Sequence, residues 1–165
     1  MKIVVVVLFA LLIFPVSVFA RVSLEDQYQE RYAEYEAQVN AIKDPNQRIK
    51  IKKAEKILDQ INQTVCSRFD EDVAKMSAVL QELRRRKGIE DQPTVVAYGE
   101  GKTQLEDAEY WVNWAGEAVA YQKSHNYLPL NITSSTNSLR SDLGVLKNKI
   151  LKAKGQVEMA VSDAK

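Results

Sequence analysis

Residues 45–87 read PNQRIKIKKAEKILDQINQTVCSRFDEDVAKMSAVLQELRRRK, and the architecture follows from how this stretch is read. Ala54, Ile57, Leu58, Ile61, Val65, Phe69, Val73, Met76, Leu80 and Leu83 recur at steps of three and four, the spacing that lines one face of an α-helix. Nothing between Pro45 and Lys87 forces a stop. Asp44-Pro45-Asn46-Gln47 supplies an N-cap side chain, a proline at the first helical position and a glutamine that reaches back to the cap. Arg84-Arg85-Arg86-Lys87 followed by Gly88 places cations beside the terminal carbonyls and a glycine where the left-handed cap requires one. One helix of this length extends about 65 Å at about 1.5 Å per residue. The steps Ile61, Val65, Phe69, Val73 are all of four, so the seam drifts from a heptad there and predicts local unwinding near Cys66-Ser67.

Outward toward the N-terminus, Leu24, Tyr28, Tyr32, Tyr35, Val39 and Ile42 mark an amphipathic helix over 24–43, with Ser23 as its cap and Glu25 and Asp26 in the first turn. Before it, Lys2 and an unbroken apolar run from Ile3 to Phe14, broken at Pro15 and ending Val18-Phe19-Ala20, have the layout of an export signal over 1–20 cleaved after Ala20. The competing reading is an uncleaved anchor over 3–20. Either way the body of the protein is expected outside the cytoplasm, periplasmic, in the cell envelope or extracellular.

Outward toward the C-terminus, Pro93, Gly99 and Gly101 mark a connector over 89–102, with a short extended Thr94-Val95-Val96 segment. Thr103-Gln104-Leu105-Glu106 is a capping box that opens a third helix running to about His125. Leu105, Ala108, Trp111, Val112, Trp114, Ala115, Ala118, Val119 and Tyr121 cover more than a narrow stripe, so this helix is expected to be the most buried. Asn126 to Thr136 reads as a loop. Leu139, Leu143, Leu146, Ile150, Ala153, Val157 and Ala160 then form a heptad seam in a fourth helix over 138–162, in which Gly144 and Gly155 are weak points. The expected fold is all-α, an elongated antiparallel bundle of about four helices forming a single domain over 21–165.

Charge divides along the same boundaries. Arg21 to Asp44 holds three basic and six acidic residues, Pro45 to Gly88 eleven and six, Ile89 to His125 two and seven, and the remainder six and three. Alternating sign predicts that the first helix folds onto the first half of the second, and the third helix onto its second half near the arginines. The whole chain carries 23 basic and 22 acidic residues, so no basic excess points to nucleic acid.

The stretch Leu24-Glu25-Asp26-Gln27-Tyr28, continued by Tyr32 and Tyr35 just after the apolar leader, resembles uncharacterised small exported helical, coiled-coil-like proteins of bacteria with reduced genomes. That resemblance implies an envelope setting. In size and leader the chain is also similar to periplasmic holdase chaperones with coiled-coil arms, but it lacks their strand-forming segments and strong basic charge.

Signatures of chemistry are sparse. Gly99-Glu100-Gly101-Lys102-Thr103 imitates a phosphate-binding loop, yet the motif's first glycine should stand at Val96, and a hinge before a capped helix explains the residues. His125 is the sole histidine and has no glutamate three residues before it, and no cysteine pair for haem attachment exists. No metal, haem or nucleotide cofactor and no enzymatic activity are expected. Cys66, the only cysteine, is either a small buried residue or an intermolecular disulfide. Tyr110, Trp111 and Trp114, with Tyr121, are candidates for an aromatic binding platform, against the alternative of core packing. Arg84, Arg85 and Arg86 are candidates for gripping an anionic polymer, against the alternative of a helix cap facing acidic residues. Asn62-Gln63-Thr64 and Asn131-Ile132-Thr133 fit the glycosylation pattern of a eukaryotic host. The functional expectation is a non-enzymatic helical interaction or scaffold protein that self-associates or binds a protein partner. The alternative is a binding module or holdase for an envelope polymer, small ligand or client protein.

Overall fold

A computed structural model describes residues 24–91 and 103–164, with side chains from Gln27 onward. The leader, the Ser23 cap and the glycine-rich segment 92–102 lie outside the described residues. Among those described there are four helices and no strand: α1 (Leu24–Ala41), α2 (Pro45–Lys87), α3 (Gln104–Lys123) and α4 (Ile132–Asp163).

α2 is continuous for 43 residues. Asp44 caps it by accepting from the Asn46 backbone N–H, Pro45 begins it, and Gly88, at φ +65°, closes it with its N–H directed to the Arg84 and Arg85 carbonyls. Its buried seam differs from the expected one. Leu58, Asn62, Cys66, Met76, Leu80 and Leu83 are buried with Phe69 and Val73 packed beside them, whereas Ile57 and Ile61 remain 44% and 43% exposed. The seam 62, 66, 69, 73, 76, 80, 83 is an unbroken alternation of four and three, so the expected drift at Cys66-Ser67 disappears. The sequence pattern misleads because the position that belongs in the seam carries an asparagine and its neighbour an isoleucine.

Around this spine, α3 runs antiparallel to α2 and α4 runs parallel to it. Arg84 meets Glu109 at one end and Asn62 meets Gln122 at the other. Leu58 packs with Leu139 near the start of α4, and Lys87 comes within 4.0 Å of Asp163 near its end. The second half of α2 thus joins α3 and α4 in a three-helix bundle, whose core includes Met76, Leu80, Val112, Val119, Leu146 and Ile150. The α4 seam lies where the heptad places it, with Leu143 half-buried at its edge. α3 buries Leu105, Ala108, Val112, Ala115, Val119 and Gln122, with Trp111 and Ala118 packed against the core beside them, so its covered face is as broad as expected except at Tyr121. Trp111 and Trp114 are half-buried, and Tyr121 is 73% exposed.

α1 folds back on the first half of α2, as the charge pattern predicts. Tyr35, Val39 and Ile51 form a small separate core with Tyr32, Ile42 and Leu128 against it. Its polar rim is dense. Tyr35 donates to Glu55 at 3.0 Å, and Lys52 pairs with Glu36 and Glu55 while its ammonium lies 4.9 Å from the Tyr35 ring centre.

α4 starts at Ile132, six residues earlier than expected. Asn131 caps it by accepting from Ser134 N–H at 3.0 Å. The run Thr133-Ser134-Ser135-Thr136 has weak helix propensity, and the cap plus the buried Pro129 just before it fix the start that propensity alone does not show.

Candidate functional site

The sequence candidates lie on α2 and α3, and the structure brings the aromatic ones together and parts the arginines. Arg84 turns inward, where both carboxylate oxygens of Glu109 accept from it at 2.8 and 3.1 Å and the Ile89 carbonyl accepts at 2.8 Å. Arg85 and Arg86 stay outside and converge on Glu82, at 2.8 to 2.9 Å. Hydrogen bonds from Arg85 and then Arg86 pull the Glu82 carboxyl down to about 2. The three arginines are therefore engaged with carboxylates of the chain itself, and they form no common basic grip.

Cys66 is fully buried, and its thiol lies 3.7 Å from Asn62 Oδ1. Burial, and next the carboxylate of Asp70, push the thiol pKa up. A second chain cannot reach this sulfur in the folded protein, so the intermolecular disulfide gives way to the buried alternative. Asn62 is likewise fully buried and is unavailable for glycosylation in the folded state, whereas Asn131 is exposed.

Asn62 is the centre of a polar chain that sequence reasoning missed. Its amide Nδ2 donates to the Gln122 carbonyl at 2.9 Å, which also accepts the His125 N–H, and to the His125 carbonyl just past the end of α3 at 3.1 Å. Gln63 donates in the same way to the Lys123 carbonyl at 2.9 Å. Two side chains of α2 thus cap α3 from outside. Gln122 Nε2 returns a bond to Asn62 Oδ1 at 2.9 Å and another to Tyr127 Oη at 2.8 Å, and Tyr127 donates to Asp142 at 2.6 Å. Burial first, then the hydrogen bond to Asp142, raises the Tyr127 pKa, so the phenol keeps its proton. The one sequence signal for this chain was a polar residue at a position that heptad continuation from Cys66 and Phe69 would have made apolar.

The aromatic candidates do come together. Tyr110 and Trp111 meet edge to face at 5.1 Å, and Trp111 and Trp114 at 5.2 Å. α4 answers with two lysines. Lys152 Nζ lies 3.5 Å from the Trp111 ring centre and Lys149 Nζ 4.2 Å from that of Trp114. This interleaving ties α3 to α4 through cation–π contacts, each about 0.5–1 kcal/mol at a partly exposed site.

A groove of about 450 Å³ lies between α3 and α4 on the far side of Trp114 from Trp111 in sequence. Trp114 and Tyr121 line it from α3, His125 from the segment just after α3, and Asp142, Val145 and Lys149 from α4. Glu117 stands on its rim, and the groove floor includes Ala118 and Leu146. Val145 is 55% exposed, so one wall is apolar and open. The volume and the mixture of aromatic rings with a few polar groups fall within the range of small-ligand sites. Among the described residues, His, Cys, Asp and Glu nowhere gather in threes as metal ligands would, and no helix is long and apolar enough to cross a membrane. No protein-family model, curated protein or solved structure matches this chain.

Proposed function

We propose that this chain is an exported, non-enzymatic interaction protein whose working face is the groove between α3 and α4. The observation that carries the reading is the pairing of an exposed Tyr121 on α3 with an exposed Val145 on α4 in the lining of one groove, together with Trp114. Large apolar side chains left open to water on facing helices, beside a concave surface, mark a binding site more often than a core. The leader over 1–20 supplies the exported setting. A photo-reactive residue at Tyr121, introduced in the exporting cell, is expected to form adducts well above those formed from Glu71 on the exposed side of α2. Equal yields at the two positions overturn the assignment of the face. Protein recovered outside the cytoplasm is expected to begin at Arg21, and recovery solely from inside overturns export.

Self-association is a second reading, favoured by Ile57 and Ile61, which lie one turn apart and open to solvent on α2. Sedimentation equilibrium showing a monomer at micromolar concentration overturns it.

A further inference from the structure

We propose that the α3/α4 groove takes an uncharged saccharide chain, an inference that rests on the reading of this groove as the working face. Several of the groove's polar groups keep hydrogen-bonding capacity that the fold does not use, although the His125 ring packs edge to face on Tyr127. Among the described residues, the Glu117 carboxylate and the His125 ring have no hydrogen-bond or ion-pair partner, and the Lys149 ammonium has only the Trp114 face. Asp142 gives one carboxylate oxygen to Tyr127 and keeps the other unpaired. The buried chain from Asn62 through Gln122 and Tyr127 holds that carboxylate in place.

These groups accept and donate in the manner that sugar hydroxyls require, because each hydroxyl can both give and take a hydrogen bond. Two carboxylates beside one ammonium give no positive field for an anionic polymer, and they would repel it. The rings supply the other half of the recognition. Tyr121, 73% exposed, offers a flat ring to the C–H face of a sugar, and Trp114, two turns away on the same side of α3 and about 10 Å along its axis, lines the groove with Lys149 over one face of its indole. An amphipathic peptide helix would want a deep apolar slot for its anchors. Here the floor is filled by Ala118 and the buried Leu146.

The test uses the full chain carrying Trp111→Phe, so that Trp114 is the sole indole and reports on the groove. Neutral tetrasaccharides of glucose, N-acetylglucosamine, mannose and galactose are titrated separately, alongside tetragalacturonate. At least one neutral probe is expected to give a saturable shift in Trp114 emission. Adding Tyr121→Ala, at a mostly exposed position that the fold does not need, is expected to weaken that Kd about tenfold, and Ile49→Ser, at an exposed position in the first half of α2, to leave it unchanged. The proposal is overturned by no saturable response to any neutral probe at millimolar concentration, by tighter binding of tetragalacturonate, or by indifference to Tyr121→Ala. If the saccharides fail while Tyr121 still forms its specific adducts in cells, the saccharide inference falls alone. If both fail, the groove assignment falls with it. Shortening of a bound probe would overturn the non-enzymatic reading.

Discussion

Asn62 shows how much one buried amide can carry. Fully enclosed, it satisfies two carbonyls at the end of α3 and accepts from Gln122 and the Cys66 thiol. Asn62→Ala removes all of these bonds at a fully buried position, leaving the Gln122 carbonyl its bond from the His125 N–H and the Gln122 amide its bond to Tyr127. Unfolding in urea should show a loss of roughly 3 kcal/mol, against less than about 1 kcal/mol for Asn46→Ala on the exposed surface. Arg84 and Glu109 pose the complementary case of a buried ion pair. Arg84→Ala leaves an unpaired carboxylate inside and is expected to cost about 3–5 kcal/mol, whereas the double variant Arg84→Met with Glu109→Leu should recover most of that. Cys66 carries a pH consequence. Its folded pKa is raised, so the neutral thiol's contribution is intact below the ordinary thiol value and is lost as pH rises from there toward the folded value. A disulfide reagent at mildly alkaline pH should leave the native thiol unmodified and label it at once when denaturant is added. Labelling of the native chain at the rate of a free thiol would contradict the buried site.

At the scale of elements, the helices were legible and their faces were less so. α4's seam stands where Leu139 through Ala160 place it, and the caps at Asp44, Thr103 and Gly88 act as their residue types dictate. The α2 seam was misread because hydrophobicity was taken as the guide: Ile61 was counted and Asn62 was not, yet burial follows the register of the partners. For the same reason the lysines over Trp111 and Trp114 could not be read, since no local pattern on α4 says which ring of α3 lies opposite. The groove itself is lined from α3, α4 and the segment between them, so it is a property of all three together. Gly144 and Gly155 now have a clear reading as well. Neither has a neighbouring atom within 4 Å of an added Cβ, and neither has positive φ. Each substitution to alanine should stabilise the protein by about 0.5–1 kcal/mol, seen as a raised Tm. Gly88→Ala, at φ +65°, should cost about 1 kcal/mol. Equal effects at the three positions would refute this division.

For the whole molecule, the decisive fact is that α2 serves two bodies. Its second half belongs to the three-helix bundle and its first half to the hairpin with α1, whose core is only Tyr35, Val39, Ile51 and their partly buried neighbours. The segment between α3 and α4 spans the junction, with Leu128 against the hairpin core and Tyr127 in the bundle's polar chain. Native-state hydrogen exchange should divide accordingly. Amides of α1 are expected to exchange at lower opening free energy than those of α3 and the second half of α2, because few apolar contacts hold α1 in place. Uniform protection across α1 and α3 would show one cooperative body.

The polar seam of α2 has a consequence during synthesis. The helix is complete at Lys87 before any of α3 has emerged, so for a time its apolar stripe has no intramolecular cover. Two nascent chains pairing stripe to stripe would enclose Asn62 and Arg84 without the α3 carbonyls and without Glu109. That arrangement is penalised at both ends of the seam, and the penalty lifts when the chain's own α3 arrives. The residues that set the register of the finished bundle also keep unfinished chains apart.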